Sequence, residues 1–142
     1  MREELINNYL ERNMLRKRSP DRLRASSLFE SAKRNGTFTL NIEINEDSST
    51  LVFREIYESI RQIGDALWWI KGYEALSHEP SIEILKDLEV KNKFKLMNID
   101  RFRRIRNDAN YRGYNISVEQ AKEIIDFWKN CGEDLINAAG NA

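Results

Sequence analysis

The chain contains very little of several residue types that common functional sites require. Its 142 residues include one cysteine, one histidine, two prolines and six glycines. A single cysteine excludes an intramolecular disulfide, and one histidine with one cysteine cannot build a zinc site of the Cys/His type. The sequence has no glycine-rich phosphate loop and no Gly-x-Ser-x-Gly nucleophile motif. These common kinds of site are therefore excluded.

Long apolar runs and an excess of one charge are also absent. No stretch approaches the roughly 18 apolar residues of a membrane span, and MREELINNYL at the start has no apolar run of the signal-peptide kind. Lysine plus arginine equal aspartate plus glutamate, at 23 each, which argues against general binding of nucleic acid through overall charge. We therefore expect a cytoplasmic protein with no membrane association, and the single cysteine fits a reducing compartment.

The scarcity of helix breakers favours an all-α protein. We predict a four- to five-helix up-and-down bundle, with one domain and one core. Helical patterns cover residues 2–17, 20–34, 53–70, 80–90, 98–112 and 118–139. Ser19-Pro20 reads as a helix start, Asn35-Gly36 and Gly113 as helix ends, and Ser117 as the cap of the last helix.

One segment departs from the helical pattern. Residues 37–45, TFTLNIEIN, alternate between apolar and polar side chains, which is the periodicity of a β-strand. The apolar side consists of Phe38, Leu40, Ile42 and Ile44. A single strand is not stable alone, so we expect a short extended or β segment near 37–45 that packs over the helices.

The helix from Phe53 to Ile70 is the strongest prediction in the chain, because an apolar stripe runs along about five turns. Gly64 and Ala66 are small enough to let a neighbouring helix approach closely. Trp68 and Trp69 are adjacent, so they cannot lie on one face of the helix. Either this helix packs on two sides within the bundle, or one tryptophan lies at a dimer interface.

Positive charge is concentrated in the segment RRIRNDANYRGYNIS, residues 103–117. Residues 101–112 carry five arginines and a single acid, Asp108. Ile99, Phe102, Arg106 and Asn110 lie along one helical face that begins apolar. Arg106 is thus expected to be partly sequestered, and it needs an anion or an acid such as Asp126 as its partner. Arg101 and Arg104 point elsewhere and are expected to be solvated.

The segment NIDRFRRIRNDANYRGYNISVEQAKEII, residues 98–125, resembles the C-terminal half of a HEPN domain (higher eukaryotes and prokaryotes nucleotide-binding). The segment from Arg54, REIYESIRQIGDALWWIKGYEALSHEPSIEILK, resembles the long central helix of that family and the helix that follows it. The resemblance covers residues 51–139 and implies a single HEPN-like domain over 1–142. In that domain, residues 1–50 would supply N-terminal helices and an extended arm.

The resemblance implies a dimeric helical bundle, and many members of the family are metal-independent endoribonucleases. Their motif is an arginine followed, after four to six residues, by a histidine. Arg106 and Asn107 match the first part of the motif, but positions 111, 112 and 113 hold tyrosine, arginine and glycine. Tyrosine and arginine do not exchange protons near pH 7 as histidine does. We therefore expect phosphate binding with weak or no nuclease activity.

The expected binding site for RNA or a nucleotide phosphate is assigned to five residues, without a metal or cofactor. These are Arg106, Asn107, Asn110, Tyr111 and Arg112. One alternative is an endoribonuclease toxin of a toxin–antitoxin pair, in which Tyr111 or His78 replaces the missing base. Another is a non-catalytic interaction module that docks a nucleotidyltransferase. A lone histidine such as His78 is more often structural than catalytic.

Overall fold

The computed structural model describes residues 1–142 and is dominated by α-helices. The elements in chain order are α1 Glu3–Glu11, β1 Leu15–Lys17, α2 Arg22–Thr39, α3 Ser49–Lys71, β2 Tyr73–Ala75, α4 His78–Glu83, α5 Asn98–Arg112 and α6 Val118–Gly140. Two 3₁₀ turns, Ile84–Asp87 and Lys93–Met97, connect α4 to α5. The predicted all-α bundle with a short β segment is confirmed. No helix combines the length and the apolar character needed to cross a membrane.

The long helix predicted from Phe53 onwards lies at the centre of the bundle. Helix α3 contacts α2, α4, α5 and α6. Its apolar side chains recur every three or four residues and are buried in a core to which all six helices contribute. The chain entering α6 is held by Ser117, whose side chain accepts a hydrogen bond from the Gln120 backbone, while the Gln120 side chain bonds back to the Ser117 backbone. This capping box fixes where the last helix begins.

The adjacent tryptophans of α3 face two different parts of the bundle. Trp68 is fully buried, and its indole N–H donates a hydrogen bond of 2.9 Å to the carbonyl of Pro80. Trp69 packs with Ala25 of α2 on the other side, where the Arg24 guanidinium lies 4.3 Å from the ring centre. The helix therefore packs on two sides within one chain, and both tryptophans are covered without a second subunit.

Helix α4 approaches α3 closely at Gly64, as its small size suggested. A Cβ atom added to Gly64 would lie 2.6 Å from the carbonyl carbon of Ser81 and closer still to its oxygen. Real side chains do not approach backbone atoms so closely, so only glycine allows this packing. The contact places the start of α4, and with it His78, against α3.

The predicted strand at 37–45 is wrong. Helix α2 continues through Asn35-Gly36 to Thr39, and the residues after it form turns. The helix does not end at Gly36 because this glycine packs on Trp128, whose ring a Cβ atom would overlap. Leu40, Ile42 and Ile44 are partly buried against the core from these turns, whereas Phe38 is 68% exposed. The alternation of apolar and polar residues in this segment therefore arises because every second side chain of the turns, from Leu40 to Ile44, packs against the core.

The β segment lies elsewhere, in a two-stranded antiparallel ribbon. Leu15 of β1 pairs with Ala75 of β2, and Lys17 pairs with Tyr73. The helix predicted over 2–17 therefore ends early, at Glu11, and Asn13 turns the chain with a left-handed φ of 57°. The next helix begins after Asp21, which caps it, and not at Ser19-Pro20.

Candidate functional site

Helix α5 has an apolar first half and a polar second half, and it begins and ends as predicted. It starts at Asn98 and stops at Gly113, which has a left-handed φ of 67°. Phe102 is fully buried and packs edge-on against Phe53 of α3 and Phe127 of α6, with ring centres 5.9 and 5.4 Å away. This anchor places the polar turns from Arg103 onwards beside α3 and the start of α4.

A cleft of about 510 Å³ lies between the polar side of α5 and the turn that leads into α4. It is lined by Met14, Ser77, His78, Glu79, Arg103, Asn107, Asn110 and Tyr111. Three of the five predicted site residues therefore meet in one cleft. Tyr111 stands at its lip with 90% of its surface exposed. We refer to this feature as the α5 cleft.

Arg106 lies beside the α5 cleft on the side that faces α3. It is half-buried, and its Nη1 atom is fully covered without a hydrogen-bond partner in the protein. Burial lowers the pKa of Arg106, and the neighbouring positive charge of Arg54 lowers it further, while Glu58 acts in the opposite direction. The alternative partner Asp126 is exposed and forms no ion pair with Arg106. Arg106 is thus a desolvated cation without a dedicated acid.

The nearby acids of α3 are already engaged. Arg61 binds Glu58 at 2.5 Å and Asp65 at 2.8 Å, and the Ser81 hydroxyl also bonds to Asp65. These bonds hold Glu58 and Asp65 on Arg61, and the positive charge of Arg54 still acts on Arg106 and lowers its pKa. Because like charges repel, an anion bound at Arg106 would also be stabilised by the charge of Arg54.

His78, which sequence reasoning considered only as an alternative, lies in the α5 cleft. Its Nδ1 atom is 3.3 Å from the hydroxyl of Tyr57. Burial, together with Arg61, lowers the pKa of His78, so the imidazole is neutral at pH 7. Burial raises the pKa of Tyr57 to about 12, so this phenol keeps its proton. When Tyr57 donates to Nδ1, the other ring nitrogen, Nε2, carries the proton; when Tyr57 accepts, Nε2 is free to take one.

The remaining arginines of α5 differ in their environment. Arg112 is exposed at the end of the helix and does not line the α5 cleft, so its predicted role in the site stays a prediction. It lies roughly 100° around the helix from Tyr111, since each residue turns by that angle. Arg101 is bound to Glu123 of α6, and Arg103 lies 3.5 Å from Glu79. Arg104 is exposed, as predicted.

Sequence reasoning missed the contribution of α3 to the site. Arg54, Glu58 and Arg61 follow one another at intervals of four and three residues, so they form a polar stripe on an otherwise apolar helix. That periodicity was readable from the chain and could have marked the charges that act on Arg106 and His78. The position of Ser77, whose buried hydroxyl also lacks a partner, was not readable, because it depends on the packing of α4.

Comparisons with known protein families, with curated proteins and with solved structures found no match to this chain. The HEPN resemblance therefore stays a prediction from the sequence.

Proposed function

We propose that the α5 cleft and Arg106 bind the phosphate of RNA or of a nucleotide. The observation that supports this most directly is the state of Arg106. Its side chain is half-buried, forms no ion pair and is subject to the positive charge of a second arginine, Arg54. A partly buried arginine without an ion pair costs free energy, and an oxyanion bound at the accessible side of its guanidinium would offset that cost.

Phosphate suits this site better than a neutral ligand does. A guanidinium can bind a phosphate through two parallel hydrogen bonds, and such charged bonds are stronger than neutral ones. Asn107 and Asn110 add amide donors from the same helix, and His78 adds an N–H when Tyr57 donates to its other nitrogen. The function that we propose is therefore phosphate binding, with weak or no cleavage.

The test is the affinity for a short RNA, measured by fluorescence anisotropy. Arg106→Ala should weaken binding by about 1–3 kcal/mol, the usual contribution of a charged hydrogen bond. Arg101→Ala is the matched control, because Arg101 lies on the same helix but is occupied by Glu123. Wild-type affinity should also fall as salt rises, since bound counterions are released from the nucleic acid. Equal affinities of wild type and Arg106→Ala would refute the proposal.

A metal-independent endoribonuclease, such as the toxin of a toxin–antitoxin pair, is the second candidate, and the position of His78 favours it. A neutral histidine in the cleft could remove the proton of a ribose 2′-hydroxyl. The 2′-oxygen would then attack phosphorus to form a 2′,3′-cyclic phosphate, and the bond to the 5′-oxygen would break as that oxygen takes a proton from solvent. Arg106 would stabilise the charge on the phosphate. This step requires Tyr57 to accept a hydrogen bond from Nδ1, so that Nε2 is free.

Incubation of mixed RNA without metal separates the two candidates. If wild type cuts and His78→Ala does not, the nuclease is supported and the binding-only proposal is wrong. If wild type cuts and only Tyr111→Phe abolishes cleavage, Tyr111 replaces the missing base. Binding without any cleavage supports the primary proposal.

The homodimer and the nucleotidyltransferase partner are proposals that rest on the resemblance. The tryptophans no longer support a dimer, because both are packed within one chain. Light scattering at micromolar concentration would decide the oligomeric state, and a monomer would remove the dimer from the proposal.

A further inference from the structure

Tyr111 is exposed at a position where a large aromatic ring has no structural role. It has 90% of its surface exposed, more than any other large apolar or aromatic side chain of the chain. It lies in the last turn of α5 and lines the lip of the α5 cleft. The packing of the core therefore does not explain why a large aromatic ring stands at position 111. A ligand in the α5 cleft would contact this ring.

Tyr111 and Arg106 are separated by a distance that suits a nucleotide. Five residues of α-helix rise by about 7.5 Å, and the two side chains also point roughly 140° apart around the helix axis. A nucleotide suits this separation, because its sugar holds the base apart from the phosphate. Asn107 and Asn110, which line the same cleft, lie between the two positions.

The side chains between these two ends suit an unpaired base. Every base has a π-face that stacks on an exposed aromatic ring, so such a contact tolerates different sequences. The amides of Asn107 and Asn110 each offer a donor and an acceptor for the edge of a base. In a duplex, both faces of a base are stacked on its neighbours and its pairing edge is occupied, so neither contact is available.

We propose that the ligand of the α5 cleft is a segment of single-stranded nucleic acid, with one base stacked on Tyr111 and an adjoining phosphate at Arg106. This inference rests on the proposed phosphate-binding function and narrows its ligand from any nucleotide phosphate to an unpaired strand. Tyr111 selects the single strand, and Arg106 supplies the charge-dependent part of the affinity.

The experiment compares four labelled probes of equal length by fluorescence anisotropy: a single RNA strand, the single DNA strand of the same sequence, an abasic strand and an RNA duplex. The single strands with bases should bind more tightly than the abasic strand and the duplex. Tyr111→Ala should weaken binding of the base-containing strand by roughly 5- to 140-fold, the range expected for one stacked base. The same variant should bind the abasic strand as wild type does.

Two controls isolate the ring of Tyr111. Tyr111→Phe keeps the π-face and should bind the single strand nearly as well as wild type. Tyr114→Ala removes another exposed tyrosine, 58% exposed, that does not line the α5 cleft, and it should have little effect. Circular dichroism should show that all three variants are folded, because neither tyrosine is part of the core.

The outcomes separate this inference from the function on which it rests. If the abasic strand and the duplex bind as tightly as the single strand, and Arg106→Ala weakens all of them, stacking on Tyr111 is wrong and phosphate binding stands. If no probe binds, the phosphate-binding function itself is wrong. Tighter binding of RNA than of DNA would identify RNA as the source of the strand, and equal binding would support single strands of either kind.

Discussion

Replacing Gly64 by alanine should both destabilise the protein and change the shape of the α5 cleft. The added Cβ atom would lie 2.6 Å from the carbonyl carbon of Ser81, whereas an ordinary contact begins at 3.4 Å. Neither α3 nor α4 can relieve this overlap by rotating a side chain, because the obstructing atoms belong to the backbone. Helix α4 must move away, and the 2.9 Å hydrogen bond from Trp68 to Pro80 would be strained or lost.

The expected loss in the free energy of unfolding is about 2–4 kcal/mol, from overpacking of about 1–3 kcal/mol and a hydrogen bond of about 1 kcal/mol. Urea denaturation would measure it. Gly140→Ala is the matched control, because a Cβ atom there has no neighbour within 4 Å. Because His78 begins α4, the affinity for RNA should fall as well. A Gly64→Ala variant as stable as wild type would refute the close packing of α4 on α3 and the cleft geometry that depends on it.

Two further predictions concern the segment after α2 and the single histidine. Ile42→Asp should lower the free energy of unfolding by about 1–3 kcal/mol because Ile42 packs against the core, whereas Phe38→Asp, at a site 68% exposed, should change it by under about 0.5 kcal/mol. Equal melting temperatures of the two variants would contradict this burial. The pKa of His78 is lowered in the folded protein, so the unfolded chain binds the proton more readily, and stability should fall as pH drops below the ordinary value of 6.5. His78→Asn should show a smaller decline over the same pH range, and an identical decline in urea titrations would contradict the shift.

The sequence predicted those features of the candidate site that depend on one helix. The spacing of Phe102, Arg106 and Asn110 shows that a buried face continues into a polar one, and a helical period is enough to derive this. Gly113 and Ser117 marked the end of α5 and the start of α6 correctly, because both signals are satisfied within a few residues. Local rules of this kind hold wherever a helix forms.

The prediction failed where distant residues decide the local conformation. Residues 37–45 alternate as a strand does, yet no neighbouring strand is available, and α2 runs on through Gly36 because that glycine packs on Trp128 of α6. The strands that do form join Leu15 to Ala75, which are 60 positions apart. The alternation of apolar and polar residues along a segment does not show which distant segment it will pack against.

The sequence by itself determined the helical class, the long apolar helix α3 and the arginine-rich face of α5, because each follows from periodicity and helix-end residues over a few turns. Only the tertiary structure decided the surroundings of that face. The close contact at Gly64 sets α4 against α3, and this brings His78 to Tyr57 and the α5 cleft. The same packing leaves Arg106 without an ion pair and subject to the positive charge of Arg54. These juxtapositions join residues up to about fifty positions apart, and the physical reason is that burial and charge depend on neighbours in space.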